Sequence, residues 1–174
     1  MASELIRIDK VTLNCGVGAP GQELENARVL LERISGHKAI YTQAKDRNPT
    51  FKIRKGDNIG TKVTIRGPDA AALLKKALEV PDHQIPETSF DDCGNVAFGI
   101  KEYIDFPGIK YDPKIGMLGF DVCITLVKKG VRVQRRKISP KRLPRKQRVG
   151  RKEAQDFMAK NFAVKVTSKA EEEQ

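Results

Sequence analysis

Residues 51–67, FKIRKGDNIGTKVTIRG, constrain this chain more tightly than any other stretch. In Phe51-Lys52-Ile53-Arg54 and again in Lys62-Val63-Thr64-Ile65-Arg66, apolar and basic residues alternate. A period of two is the period of a strand, and it puts the apolar side chains on one face and the cations on the other. Residues 55–60 between the two runs are turn-prone. The expectation is a hairpin or a pair of sheet edges with a cationic, solvent-facing side, a surface better suited to a polyanion than to a small metabolite.

The charge distribution agrees. Residues 128–152 contain 13 Lys or Arg and no Asp or Glu, while the whole chain of 174 residues carries +11, so all the rest is net −2. Residues 38–66 hold eight basic residues against Asp46 and Asp57. Positive charge is thus concentrated in two segments on a mildly acidic body, the electrostatic footprint of a nucleic-acid binder.

Other function classes find little support. No apolar run approaches the roughly 20 residues of a membrane span. Residues 1–10 carry acids and no apolar stretch, so no signal peptide is expected, and a cytoplasmic protein without membrane contact is. Cys15, Cys93 and Cys123 are widely spaced, form no CxxC pair and lie far from His37 and His83 in sequence. They are expected as small buried residues in strands, and neither a metal nor a cofactor is expected.

Residues 6–15 alternate with one register break at Asp9-Lys10, where a bulge is expected, and their polar side implies a sheet covered on one face only. Gly16-Val-Gly-Ala-Pro-Gly21 then spells GxGxxG. A dinucleotide fold requires a first strand buried on both faces, repeated βα units and an acid closing the second strand. Here the first strand alternates, Pro20 interrupts the turn, and the segment that should carry the acid ends in Lys45. The glycines are expected as a strand-to-helix turn.

A helix is expected over residues 22–34, with Leu24, Ala27, Leu31 and Ile34 on one stripe, Leu30 beside it and Gly36 as the C-cap. A short strand is expected at residues 39–43 and a loop at 44–50. A second helix starts at Pro68-Asp69, buries Ala71, Leu74, Ala77 and Leu78, and stops at Pro81. Strands follow around residues 95–99 and 120–126, the latter resuming at 131–133. Residues 103–119 form an ordered loop with exposed apolar side chains. Residues 137–150, with Pro140 and Pro144, are too charged and broken to bury themselves and form an arm that orders on its partner. A last helix, residues 151–161, turns Ala154, Phe157 and Met158 inward, residues 162–166 add a strand, and 168–174 form a disordered acidic tail.

The fold class expected is therefore α+β: two layers, an antiparallel or mixed sheet with helices packed on one face, and a basic C-terminal extension. The organisation expected is a core over residues 1–130, the arm over 131–152, a helix and strand packing back over 153–167, and the tail. The bare sheet face would be the polar one, the face that RNA-binding sheets use.

Several of these residues also resemble one family throughout. Lys10-Val-Thr-Leu-Asn-Cys-Gly-Val-Gly18, Ile34-Ser-Gly-His-Lys38, Phe51-Lys-Ile-Arg-Lys-Gly56, Ile59-Gly-Thr-Lys-Val-Thr-Ile-Arg-Gly67, and Gly94-Asn95 with Phe98-Gly99 are similar to the large-subunit ribosomal protein family called L-five in bacteria, L-eleven in eukaryotes. The resemblance runs from Ile6 to Leu126 in order and spacing, and the basic segment at 131–152 is like that of archaeal and eukaryotic members. An archaeal-type member is expected.

The resemblance implies a non-catalytic protein that binds 5S ribosomal RNA (rRNA) in the central protuberance of the large subunit. It also implies contact with P-site tRNA through a loop between two strands, and a bridge to a protein of the small-subunit head, with the protein a monomer within the ribosome. The family's 5S contacts match Asn14, His37 (where bacterial members have Gln), Phe51 and Thr64. The tRNA loop maps to residues 45–56, with Lys45, Arg47, Lys52, Arg54 and Lys55 meeting phosphates. In the arm, Arg132, Arg135, Arg136, Lys137, Lys141, Arg142, Arg145, Lys146, Arg148, Arg151 and Lys152 would thread along large-subunit rRNA.

The chemistry of these residues suits such roles. Asn14 and Thr64 offer short donors and acceptors for base edges or 2′-hydroxyls, and Phe51 offers a π-face for stacking. Each also has a plainer role open to it: Phe51 in the core, Thr64 as an exposed strand residue, Asn14 as a turn former at a strand end.

Overall fold

A computed structural model describes residues 6–167. The tail expected at 168–174 and the first five residues lie outside this range.

The frame is a five-stranded antiparallel sheet in the order β2-β3-β1-β6-β5, built from β1 (Ile6–Gly16), β2 (Ile40–Gln43), β3 (Asn58–Ile65), β5 (Asn95–Ile100) and β6 (Phe120–Lys128). Alternation along each strand sends Val11, Leu13, Val63, Ile65, Val96, Val122 and Ile124 to one face, where all are buried. Removing each of these side chains from water contributes about 1.5–3 kcal/mol. Two helices cover that face, α1 (Gln22–Ser35) and α2 (Pro68–Glu79). In α1 the buried stripe is Leu24, Ala27, Leu30 and Leu31, with Ile34 half-buried at its margin. Gly36 ends the helix at φ 68°, and its N–H donates to the Glu32 carbonyl at 2.9 Å. In α2 the stripe is Ala70, Leu73, Leu74, Ala77 and Leu78, one position off expectation at Ala71, which is only half-buried.

The architecture is the α+β one expected, and it excludes a dinucleotide crevice. β1 pairs antiparallel with both neighbours, so the glycines at 16–21 lead into no parallel βαβ unit. They make the turn into α1, with Gly18 at φ 89°. The register of β1 against β6 shifts between Ile8 and Lys10, so the expected bulge is present with Asp9 as its extra residue.

Several local expectations fail. Phe51–Arg54 is no strand: Lys52 sits at φ 55° inside a tight turn closed by mutual Asn48–Ile53 backbone hydrogen bonds of 3.0 Å. Its period of two is too short to find a strand partner. Cys93 is exposed in a turn, whereas Cys15 is buried and Cys123 half-buried in strands. Residues 131–133 do not resume β6. Gly130, at φ 102°, reverses the chain into a one-turn helix, α3 (Arg132–Arg135). Nor does the last strand begin at Phe162, which closes helix α4 (Arg151–Phe162); it is β7 (Lys165–Thr167), paired parallel with a short strand that periodicity did not reveal, β4 (Gln84–Pro86).

The loop after β5 is more buried than its composition implied. Tyr103, Phe106 and Ile115 are in the core, with the Phe106 and Phe120 rings 6.1 Å apart. The Asp112 N–H donates to the Tyr103 hydroxyl at 2.9 Å, and Arg33 of α1 holds the Asp112 carboxylate at 2.8 Å. Only Ile104, Tyr111 and Met117 stay exposed as expected. In α4 the inward residues are Ala154, Phe157 and Met158, as the spacing required.

Candidate nucleic-acid interface

The face of the sheet opposite α1 and α2 is bare, and its residues follow from strand register. One row crosses it as Ile40, Lys62, Asn14, Asp121 and Gly99, and a second as Thr64, Thr12, Cys123 and Ala97. Asn14 is half-buried and Thr64 exposed, so both present polar atoms to solvent from a rigid support. Thr64 is thus an exposed strand residue.

His37 follows the α1 C-cap and is exposed. Its backbone N–H donates to Ser35 Oγ at 3.1 Å, and its Nε2 lies 3.8 Å from Asp69 Oδ2 at the start of α2. Because β2 runs antiparallel to β3, residues before Ile40 lie towards the Thr64 end of the hairpin. His37 and Thr64 thus share one end.

Phe51 does not join them. It lies in the loop at the opposite end of β3, and the six residue steps from Asn58 to Thr64 span about 20 Å of strand. At 71% exposure Phe51 is no core residue. The loop bearing it is pinned at its neck, where the Ala44 N–H donates to the Asp57 carbonyl at 2.8 Å and the Gly56 N–H to the Ala44 carbonyl at 3.0 Å. Asp57 Oδ2 also accepts from the Arg54 N–H at 2.8 Å. Lys45, Arg47, Lys52, Arg54 and Lys55 all point into solvent from this loop. The four residues matched to 5S contacts therefore divide into a sheet group and a loop-borne aromatic.

The basic segment divides too. Arg135 is held by the Asp9 carboxylate, Arg136 donates to the Ser139 carbonyl at 2.8 Å, and Arg151 lies 3.7 Å from Asp92. Arg148 is half-buried, donating to the Leu143 carbonyl at 3.3 Å and resting 3.8 Å from Cys93 Sγ. Arg132, Lys137, Lys141, Arg142, Arg145, Lys146 and Lys152 are exposed and make no ion pair among the described residues.

Contrary to expectation, the far end of the segment is buried. Val149 is 1% exposed and packs into the core. Next to it, the Gly150 N–H donates to Glu153 Oε2 at 3.0 Å, and Lys128 Nζ donates to Glu153 Oε1 at 2.7 Å. Those bonds, Lys128 first, hold the Glu153 carboxyl below its ordinary pKa. The carboxyl of Asp9 is lowered chiefly by its hydrogen bond with Arg135, and further by Arg66, against the opposing effect of burial. Val149, flanked by Arg148 and Gly150 in a segment with 13 cations, belongs to no periodic apolar pattern, which is why sequence patterning misses this anchor.

A bare polar sheet face, a cationic hairpin loop and a basic segment tethered at both ends define a basic α+β protein that engages a polyanion through its surface. Its family is equally plain. Residues 3–54 match the family described as Ribosomal protein L5, and residues 58–166 match the ribosomal L5P family C-terminus. The chain is 49% identical over 164 residues to the large ribosomal subunit protein uL5 of Thermoplasma acidophilum, covering 94% of this chain and 96% of that one. It is 46% identical over 162 residues to the uL5 of Sulfurisphaera tokodaii, covering 92% of each chain. Against the uL5 of Cenarchaeum symbiosum it is 45% identical over 161 residues, covering 92% of this chain and 95% of the relative. The chain belongs to the ribosomal protein L5 family, whose members are structural proteins and not enzymes.

Proposed function

We propose that this protein, a structural constituent of the large ribosomal subunit in the cytoplasm, binds 5S rRNA through the bare face of its sheet. The observation that carries the reading is the display of Asn14 and Thr64 on that face, with the cations of the loop and the basic segment around it. Short polar side chains on a rigid sheet offer hydrogen bonds to base edges and 2′-hydroxyls, while Lys and Arg around them hold phosphates and set the register. His37 adds a hydrogen-bonding ring at one end of the hairpin, and Phe51 adds a stacking surface beyond the other.

The loop at 45–56 is the element that reaches P-site tRNA. Its five cations contact phosphates of that tRNA. The free cations of the basic segment run along large-subunit rRNA. The exposed Ile104, Tyr111 and Met117 of the loop after β5 supply an apolar surface for the bridge to a small-subunit head protein.

A competition assay tests the central claim. Purified protein should retain labelled 5S rRNA at physiological salt in the presence of excess unrelated tRNA. Equal displacement by both RNAs would remove 5S rRNA as the specific partner.

A further inference from the structure

The bare face carries a carboxylate near one end of its strands, where a polyanion would be repelled. Asp121, in β6, is exposed and stands between Asn14 of β1 and Gly99 of β5. Its side chain makes no hydrogen bond or ion pair among the described residues, so no fold interaction accounts for it. Gly99 leaves the space beside it vacant: a Cβ there would lie 3.5 Å from Asp121 Oδ1.

The surroundings extend that gap into a recess of about 470 Å³, lined by Asn14, Gly16, Gly99, Lys101, Gly119 and Asp121. Its floor is backbone. A Cβ on Gly119 would fall 2.7 Å from the Lys101 carbonyl oxygen and 2.9 Å from that of Ile100, so only glycine lets the chain pass there. The Cys15 thiol beneath donates to the Gly119 carbonyl at 3.2 Å and ties the floor to β1. At the rim, Lys101 is exposed.

We propose that this recess receives one unpaired guanine base, with Asp121 accepting from the N1–H and the N2 amino group while the Asn14 amide donates to O6. A carboxylate only accepts hydrogen bonds, so on an RNA-binding face it selects a partner presenting donors. Among the four bases, only guanine sets two donors side by side on its pairing edge, matching both carboxylate oxygens. Adenine and cytosine set one amino group beside an acceptor nitrogen, and uracil sets one N–H between two carbonyls. The glycine floor admits a flat ring close to the backbone, and Lys101 is placed for the phosphate of the same nucleotide. Recognition of splayed, unstacked bases is the usual route to sequence specificity in RNA.

The inference rests on the RNA-binding reading, and the test separates the two. Short oligoribonucleotides of uridine with a central guanosine, inosine or adenosine serve as probes, with 5S rRNA and an unrelated tRNA alongside. Inosine lacks the N2 amino group. The wild-type protein should bind the guanosine probe about 10-fold or more tighter than the inosine or adenosine probe, as for a bidentate base contact. Asp121→Asn should abolish that preference and weaken 5S rRNA binding about 10-fold, yet leave tRNA binding unchanged or tighter, because it removes a negative charge. Equal affinity of the wild type for guanosine and inosine overturns the pocket, as does an Asp121→Asn protein that binds 5S rRNA as tightly as the wild type. A guanosine preference without a 5S preference upholds the pocket and removes 5S rRNA as the partner. Asp121 is exposed, so the substitution should leave the melting temperature unchanged.

Discussion

Arg135 and Asp9 lie 126 residues apart and are joined directly, with Arg135 Nη1 donating to Asp9 Oδ1 at 2.8 Å. Asp9 is the extra residue of the β1 bulge, its side chain is 6% exposed, and Arg66 reaches it from the end of β3 at 3.2 Å. A bulge redirects one side chain out of the alternation of a strand. Here it aims a carboxylate at the root of the basic segment, so that the segment leaves the body from a defined point.

Replacing Asp9 with Asn should therefore destabilise the protein by about 1–3 kcal/mol, since two guanidinium groups lose the charge that holds them. Limited proteolysis should cut the variant faster within residues 136–148. A variant with wild-type melting temperature and cleavage rate would show that the pair contributes nothing.

The same carboxyl has a pH signature. Its folded-state pKa lies below the ordinary 3.8, first because Arg135 donates to its charged form. A lowered pKa means that the stabilisation is complete above the unfolded-state value near 4 and is lost as pH falls through the folded-state value. Glu153, lowered by Lys128 and the Gly150 N–H, acts in the same direction. Unfolding free energies measured by urea from pH 7 down to pH 2 should drop below about pH 4, and less steeply for Asp9→Asn. Parallel curves for the two proteins would count against this assignment.

At the other end of the segment, Gly94 and Val149 are interlocked. Gly94 has φ +78°, and a Cβ there would meet Val149 Cβ at 2.6 Å and the Leu126 carbonyl oxygen at 3.2 Å. Gly94→Ala should cost about 2–4 kcal/mol, combining backbone strain with the expulsion of a packed side chain. Val149→Gly, which removes the clashing Cβ but leaves the strain, should make the double variant less destabilised than the sum of the two single variants. Additive destabilisation in the double variant would mean that the two residues do not share this space.

Phe51→Ala separates binding from folding. With its ring exposed, truncation should change stability by less than about 0.5 kcal/mol. Loss of a stacked base should weaken RNA binding about 5- to 100-fold. Unaltered affinity would exclude the ring from the interface.

The cations of the basic segment should differ in their salt response. Arg142→Ala with Arg145→Ala removes two exposed, unpaired charges and should reduce the slope of log K against log salt by about 1.4–1.8. Arg135→Ala, whose charge is already engaged by Asp9, should alter melting temperature more than slope. The reverse pattern would place Arg135 on the RNA.

Strand and helix positions within the body were largely legible, because alternation in residues 6–15, 62–66 and 120–126 and the stripe of α1 each follow from burying one face of one element. Local periodicity failed where it was shortest. Phe51-Lys52-Ile53-Arg54 alternates like a strand, yet the Asn48–Ile53 closure bends it into a turn. β4 and β7 were missed or misplaced because three residues carry no usable period, and what makes them strands is each other.

By itself, then, the sequence determined the one-sided sheet, its covering helices, the bulge at Asp9 and the two cationic segments, since each is encoded by neighbours along the chain. Only the tertiary structure decided which charges are free. Arg135 and Arg142 look alike in sequence, but among the described residues register and packing bring Asp9 to one and no carboxylate to the other. Strand pairing likewise set Asp121 beside Asn14 and Gly99, residues more than 20 positions apart in the chain, over a floor that only glycine permits. Contacts of that range depend on how strands align across a sheet, which no local pattern contains.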